Sequence, residues 1–307
     1  MNCSNSTVDK TVQLVQLVVY IPMLLFGTTF NAMAVWVFCC KLKKWTETRV
    51  YMMNLVISDC SLLLILPFRI YSFRNDGKLG RELCSAARII YFLNMYMSIS
   101  VITLIAIDRY IAIAYPLKAK LLRSPFKATV ISGLLWILQT ALRVYLELGK
   151  TEAGLKNKCF TSRLPHNFPR LLYFAVFGFI VPFIILSFCT AHIIRTLKKK
   201  KNTSPQEEKS IEKVIHIVTA NLTVFIICFS PIHIGNIIRF VWESIGASCF
   251  VSDSIEKFLH IARIVADSNC CFDAICYYFV AKEFWEVSCI LPKSRNLQQQ
   301  TQESKIL

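Results

Sequence analysis

Residues 105–113 read IAIDRYIAI and place Asp108 beside Arg109 near the end of a long apolar run. The run begins near Cys84 and is long enough to cross a bilayer, whose hydrocarbon core of about 30 Å needs roughly 20 apolar residues in a helix. A charged pair in such a run is costly unless it faces the protein interior and has partners there. It is therefore either a functional site or a helix-end arginine that reaches the headgroups.

The rest of the chain is also rich in apolar residues. Of its 307 residues, 55% are hydrophobic and only 18% are charged, and the mean hydropathy is +0.49. Such a composition excludes an ordinary soluble domain and indicates a membrane protein. No internal repeat is visible, which disfavours a transporter built from duplicated halves. Apolar runs bounded by charge predict seven membrane-spanning helices, at 10–41, 48–73, 84–114, 126–146, 169–197, 209–242 and 254–280.

Lysine and arginine are concentrated in the loops after the first, third and fifth spans, including the run 198–201. Since cytoplasmic loops carry the excess of positive charge, this distribution predicts an extracellular N-terminus in a multi-pass plasma-membrane protein. The sequons at Asn2 and Asn5 would then be glycosylated on the outer face. A similar sequon at Asn202 would face the cytosol, so each sequon alone is weak evidence.

Two of the 13 cysteines are placed where an oxidising compartment would act on them. Cys84 opens the third span on its outer side, and Cys159 lies in the outer loop between the fourth and fifth spans. We expect a disulfide between them that limits the freedom of this loop. A second bridge from Cys3 to Cys249 is an open alternative.

Each span carries one or more short motifs: Asn31, the second-span sequence 54–59, the triplet Asp108, Arg109 and Tyr110, then Trp136, Pro182, the sequence 228–231, and the sequence 273–277. In this order they resemble the motifs of class A (rhodopsin-like) G-protein-coupled receptors, and the resemblance covers the whole chain. Three positions depart from the family pattern: Phe229 replaces a tryptophan, Asp273 an asparagine and Ala274 a proline.

The resemblance implies an all-α membrane protein, a seven-transmembrane helix bundle with a short amphipathic eighth helix. We therefore divide the chain into an extracellular N-terminus at 1–11, a transmembrane domain at 12–280, the amphipathic helix at 281–291 and a disordered cytoplasmic tail at 292–307. Cys289, near the end of the eighth helix, is a palmitoylation candidate.

The resemblance also implies a switch between two states. Arg109 would pair with Asp108 at rest, then meet the heterotrimeric G protein once the sixth span moves outward about Pro231, with Tyr110 completing the triplet. Tyr277 would support the open state. Ligand outside and G protein inside each shift this equilibrium by binding the active state more tightly. Phosphorylation of the tail, at Ser294, Thr301 and Ser304, would recruit arrestin.

Midway through the bundle, polar side chains project from the second, third and seventh spans. The family reading of this set is an allosteric sodium site, because buried carboxylates need a counter-charge and hard cations prefer oxygen ligands. The alternative is a protonated or water-bridged network without an ion. No other cofactor is expected. The predicted sodium ligands are Asp59, Ser98, Asn269 and Asp273.

The predicted outer half is basic, with 15 lysines and arginines against 8 acidic residues by our placement. Five of the arginines lie in the outer turns of five different spans, and Tyr91 lies one turn below one of them. Facing inward, they would form a cationic bowl suited to bidentate capture of carboxylate or phosphate. Each arginine alone could instead reach the membrane interface. The predicted ligand-binding residues are Arg69, Arg88, Tyr91, Arg143, Arg239 and Arg263.

The predicted partners are a small anionic ligand, a heterotrimeric G protein and membrane lipid, with no nucleic acid. The branch of the family that the chain resembles implies acidic ligands, although it carries an arginine where this chain has Met95. A lysophospholipid or nucleotide receptor of the same class is the first alternative, and a channel or transporter the second. An enzyme is not expected, because the five histidines form neither an HExxH motif nor an opposed pair.

Overall fold

The computed structural model describes residues 10–41, 45–75, 79–149, 159, 168–199, 205–245 and 249–274, and within these ranges it contains helices and no strands. Two short π-helical segments accompany the α-helices: Val37–Lys41 extends the first helix, and Val176–Ile180 joins the sixth to the seventh. The α-helices are α1 Lys10–Trp36, α2 Glu47–Arg74, α3 Arg81–Ala114, α4 Pro116–Leu122, α5 Pro125–Leu148, α6 Phe168–Ala175, α7 Val181–Lys198, α8 Pro205–Ser244 and α9 Cys249–Asp267.

Six of the seven predicted spans are confirmed as helices long and apolar enough to cross a membrane, within the part of the chain that the structure describes. They are α1, α2, α3, α5, the continuous unit of α6, its π segment and α7, and α8. The seventh predicted span coincides with α9 and the helical residues 269–274, and its last residues lie outside the described ranges. The all-α fold that we predicted is therefore observed.

α3 is the central helix of the bundle. It packs against α2, α5 and α7, and most of its length is buried. α5, by contrast, exposes most of its apolar side chains, including Phe126, Leu134 and Ile137. Since apolar surface is stable against lipid, this exposure is what a membrane-facing helix requires.

α8 has a different environment. It packs extensively along α9 and less against α7, and it touches α3 only sparsely. Pro231 lies inside α8, where a proline removes one backbone hydrogen bond and favours a kink. Its predicted position within the sixth span is therefore confirmed.

A glycine lets the fifth span approach α3 closely. Gly178 lies in the π segment Val176–Ile180, and a Cβ atom there would overlap the ring of Tyr96 on α3. The segment ends shortly before Pro182, which cannot donate a backbone hydrogen bond. Single-turn π segments of this kind occur often at functional sites.

The two ends of the bundle can be named by their residues. Cys84, in the first turn of α3, forms the predicted disulfide with Cys159, and their Cα atoms are 5.7 Å apart. We call this the disulfide end. The opposite end holds Asp108, Arg109 and Tyr110, and we call it the DRY end.

Several predicted features lie outside the described residues and therefore stay predictions. They are the glycosylation sites Asn2 and Asn5, the cysteine Cys3, the switch residue Tyr277, the eighth helix with Cys289, and the tail.

Candidate functional site

The predicted ligand residues lie on five helices in the half of the bundle nearest the disulfide. Arg69 of α2 and Tyr91 of α3 are brought together, because the guanidinium carbon of Arg69 lies 4.5 Å from the centre of the Tyr91 ring. Both side chains are buried. Arg88, Arg143 and Arg239 contact other groups, so the predicted bowl is divided into separate environments.

Arg69 forms a buried ion pair that we did not predict. Its Nη1 lies 2.6 Å from Oδ2 of Asp267 in α9, and the two side chains are only 1% and 3% exposed. The hydroxyl of Tyr20 in α1 donates to the same oxygen over 2.8 Å. The arginine charge is thus neutralised, and the triad joins three helices, so Arg69 has a structural role.

Two more arginines are paired with carboxylates. Nε of Arg88 donates over 3.0 Å to Oε1 of Glu147 in α5, which also accepts from Ser85. Arg239 of α8 lies 2.9 Å from Glu256 of α9. Together with Arg69, three of the five arginines therefore have acidic partners, and the site is less cationic than the sequence indicated.

Arg143 differs from these three. Its side chain projects from α5 among aromatic rings, with the guanidinium carbon 4.2 Å from the ring centre of Tyr96 and 4.3 Å from that of Phe174. It is 6% exposed, and its Nε and Nη2 have no hydrogen-bond partner among the described residues. Aromatic faces stabilise a cation, but they do not satisfy its N–H groups.

Arg263 completes the set. It projects from α9 and is half-buried, and the structure records no ion pair of its guanidinium with a carboxylate within the described residues. Arg143 and Arg263 are therefore the two predicted ligand arginines without a recorded ion pair to a carboxylate among the described residues.

Asp267 is the buried charged residue that sequence reasoning missed at this end. It is an acidic residue inside the seventh predicted span, and an intramembrane carboxylate marks a site by default. That signal was present in the sequence. The identity of its partner was not, because Arg69 lies 198 residues away in the chain.

The predicted sodium ligands are all buried. Asp59 lies midway along α2 and Ser98 midway along α3, while Asn269 and Asp273 belong to the helical residues 269–274. Three oxygens, Oδ2 of Asp59, Oγ of Ser98 and Oδ1 of Asn269, have no hydrogen-bond partner among the described residues. Nδ2 of Asn269 donates over 2.6 Å to Oδ2 of Asp273. Such unpaired buried oxygens fit a cation with hard oxygen ligands.

At the DRY end, Asp108 has partners other than the neighbouring arginine that we expected. Its carboxylate accepts from the hydroxyl of Thr48 over 2.7 Å and from Nε of Arg123 over 2.8 Å. Arg123 precedes α5 and also contacts Glu47 over 3.3 Å. This corrects the predicted resting pair of Asp108 with Arg109.

The two carboxylates beside Arg123 stabilise the charged form of its guanidinium. Partial burial alone would lower the pKa of its guanidinium, but the hydrogen bond and the attraction of Asp108, followed by that of Glu47, raise this pKa above its usual value. Arg123 therefore joins the end of α3 to the first turn of α2.

Arg109 is half-buried and lines a small cavity of about 30 Å³ at the DRY end, opposite Val214 and Asn221 of α8. Tyr110 packs edge-on against His192 of α7, with 5.1 Å between ring centres. The triplet thus lies where α3, α7 and α8 meet, so a movement of α8 would change the surroundings of Arg109.

The bundle, its disulfide and the DRY end together define a heptahelical receptor. Residues 30–277 match the model of the 7 transmembrane receptor (rhodopsin family), and the chain belongs to this family. Its members are signalling receptors, and the chain is accordingly not an enzyme.

Three relatives place the chain within the family. It is 40% identical over 271 residues to G-protein coupled receptor 35 of Homo sapiens, covering 87% of this chain and 84% of the relative. It is 33% identical over 292 residues to G-protein coupled receptor 55 of Homo sapiens, covering 92% of this chain and 90% of the relative. It is 31% identical over 271 residues to lysophosphatidic acid receptor 6 of Homo sapiens, covering 83% of this chain and 77% of the relative.

Proposed function

We propose that this receptor binds a small anionic ligand, bearing a carboxylate or phosphate, between its helices at the disulfide end and activates heterotrimeric G proteins through the DRY end. In this proposal the disulfide end and the N-terminus face the outside of the plasma membrane. The excess of lysine and arginine in the loops at the DRY end supports that orientation.

The observation that carries the ligand class is the state of Arg143. A guanidinium that is 6% exposed keeps its charge at a high free-energy cost unless an anion or hydrogen-bond acceptors surround it. Its Nε and Nη2 lack acceptors among the described residues. A ligand carboxylate or phosphate would supply both the counter-charge and the acceptors, and Arg263 offers a second cation.

The aromatic surroundings of Arg143 support a ligand with an apolar body. Tyr96, Phe92 and Phe174 all lie within contact of the guanidinium, so the group next to the anion would pack on rings. An aromatic carboxylate meets this requirement. A lysophospholipid meets it as well, and the relative named as a lysophosphatidic acid receptor makes that class the second candidate.

We also propose that a sodium ion binds among Asp59, Ser98, Asn269 and Asp273 in the resting state. The unpaired buried oxygens described above support this site. The ion would supply the positive charge that two buried carboxylates require, and its loss would accompany activation.

Arrestin is a further proposed partner through the phosphorylated tail.

The test is a G-protein dissociation assay in cells against a panel of aromatic carboxylates, acidic metabolites and lysophospholipids. We expect an agonist among the anions. Arg143→Ala should raise its half-maximal concentration about tenfold or more, because a hydrogen-bonded charge pair contributes roughly 1.5 to 3 kcal/mol. Arg143→Lys should recover only part of the loss, since lysine keeps the charge without the planar fork.

Arg81→Ala is the matched control, because Arg81 lies at the disulfide end on α3 but is exposed. It should leave the agonist concentration unchanged. An uncharged agonist that acts equally well on wild type and on Arg143→Ala would contradict the proposed ligand class.

A further inference from the structure

Two adjacent thiols face outward at the end of the first span. Cys39 and Cys40 are both exposed, whereas the other free cysteines that the structure describes are half-buried or buried. Buried cysteines act as small apolar packing residues. Packing inside the bundle does not account for an exposed pair, whose thiols are open to reagents at the surface of the helix.

The local backbone presents them outward. Both belong to the π segment Val37–Lys41, in which the preceding Phe38 is only 2% exposed and packs in the central core. Phe38 thus anchors the segment while the next two side chains lie on its surface.

The depth of the pair is set by the helix that carries it. The first membrane-spanning segment runs from Leu14 to Cys40, so both thiols lie at its boundary, followed directly by Lys41. α1 ends at the DRY end, and the orientation given under Proposed function puts that end on the cytoplasmic side. Exposed cysteines at such a boundary meet the acyl chains and headgroups of one leaflet.

We propose that Cys39 and Cys40 are sites of reversible S-acylation by long-chain fatty acids, an inference that rests on the proposed orientation. The cysteine sulfur attacks the carbonyl carbon of a fatty acyl thioester such as an acyl-coenzyme A. A new carbon–sulfur bond forms, the bond to the carrier sulfur breaks, and the carrier leaves as a thiol that takes up the cysteine proton. No oxidation or reduction occurs.

The acyl chains would insert beside α1 and hold the start of the first loop at the membrane surface. Two chains anchor a segment far more stably than one. The first loop leads into Glu47 and Thr48, which contact Arg123 and Asp108. Acylation would therefore restrain the side of the DRY end formed by α1 and α2.

The experiment is acyl exchange on the full-length receptor expressed in mammalian cells. Free thiols are blocked, thioesters are cleaved with neutral hydroxylamine, and each released thiol receives a polyethylene-glycol maleimide that shifts the band by a fixed mass. A Cys289→Ala background removes the predicted tail site. We expect one or two tags per chain in this background and their loss in Cys39→Ala/Cys40→Ala.

Cys60→Ala is the matched control, because Cys60 is a half-buried cysteine of α2, and it should keep every tag. Peptide mass spectrometry on the wild-type receptor gives a second measurement that does not depend on how well a variant folds. A pattern of tags unchanged by Cys39→Ala/Cys40→Ala, or a peptide containing both thiols without acyl groups, overturns the proposal.

A separate arm distinguishes failure of the orientation from failure of the acylation. A membrane-impermeant maleimide is applied to intact cells expressing the Cys289→Ala background. Labelling of Cys39 or Cys40 would contradict the proposed orientation. Absence of labelling in intact cells, with unmodified thiols that label after permeabilisation, would contradict only the acylation.

Discussion

Asp267 illustrates how one side chain can change the role of another. Arg69 belongs to the basic set of the disulfide end, yet the carboxylate 2.6 Å from its guanidinium makes it part of a neutral triad with Tyr20. Removing one member of a buried pair leaves an uncompensated charge, which is far more costly than replacing both members by apolar residues.

Asp267→Ala should therefore lower the free energy of unfolding by about 3 to 5 kcal/mol, and Arg69→Met/Asp267→Leu should recover most of that loss. The measurement is thermal unfolding of the detergent-purified receptor. Glu256→Ala is the comparison, because the pair of Arg239 with Glu256 is 9% and 16% exposed and its loss should cost much less. Equal losses for the two single variants would argue against the structural role of the triad.

Arg123 provides the second prediction at this scale. Its bonds to Asp108 hold the end of α3 to the start of α2. Arg123→Gln should weaken the resting state by roughly 1 kcal/mol and raise basal nucleotide exchange on the G protein by about fivefold. Lys127→Gln, an exposed change in the first turn of α5, serves as the control. Unchanged basal exchange in Arg123→Gln would show that this network does not restrain the receptor.

At the scale of whole helices, the sequence was sufficient to locate each helix along the chain. It was not sufficient to define how each helix is rotated about its own axis. Each span ends where charge returns, and that signal located six helices that the structure confirms. The side-chain partners of Asp108 and Arg69 depend on which face each helix turns toward its neighbours. Spans that are apolar on every side carry little information about that face. The sequence therefore could not assign Arg123 as the partner of Asp108, or Asp267 as the partner of Arg69.

The disulfide shows the opposite case. Cys84 and Cys159 could be paired from the sequence because both fall at the membrane face predicted to be extracellular, where an oxidising compartment favours a disulfide. The pairing depends on the side of the membrane that each residue occupies and not on helix rotation.

The π segment in the fifth span yields a prediction at this scale. Gly178→Ala would place a methyl group against the Tyr96 ring, and overpacking of this kind typically costs about 1 to 3 kcal/mol. Gly133→Ala is the control, since a Cβ atom at Gly133 meets nothing within 4 Å. We expect a lower unfolding temperature for the first variant alone. Equal temperatures for both variants would show that the fifth span can move away from α3 at little cost.

At the scale of the whole molecule, the sodium proposal predicts a specific salt effect. Sodium chloride should raise the unfolding temperature of the wild-type receptor relative to choline chloride at the same ionic strength. At ten times the dissociation constant, a bound ion adds about 1.4 kcal/mol. Asp59→Asn should abolish the difference, because it removes one of the two buried carboxylates. A wild-type receptor that responds equally to both salts would contradict the site.

The uneven packing of α8 has a mechanical consequence for signalling. Because α8 approaches α9 far more extensively than α3, an outward swing of its DRY end would mainly separate the apolar side chains that it packs against α3 and α7, such as Val218 against Ile193. The kink favoured at Pro231 gives that swing a pivot. The barrier to opening the cleft around Arg109 is then set chiefly by these apolar contacts of α8 with α3 and α7.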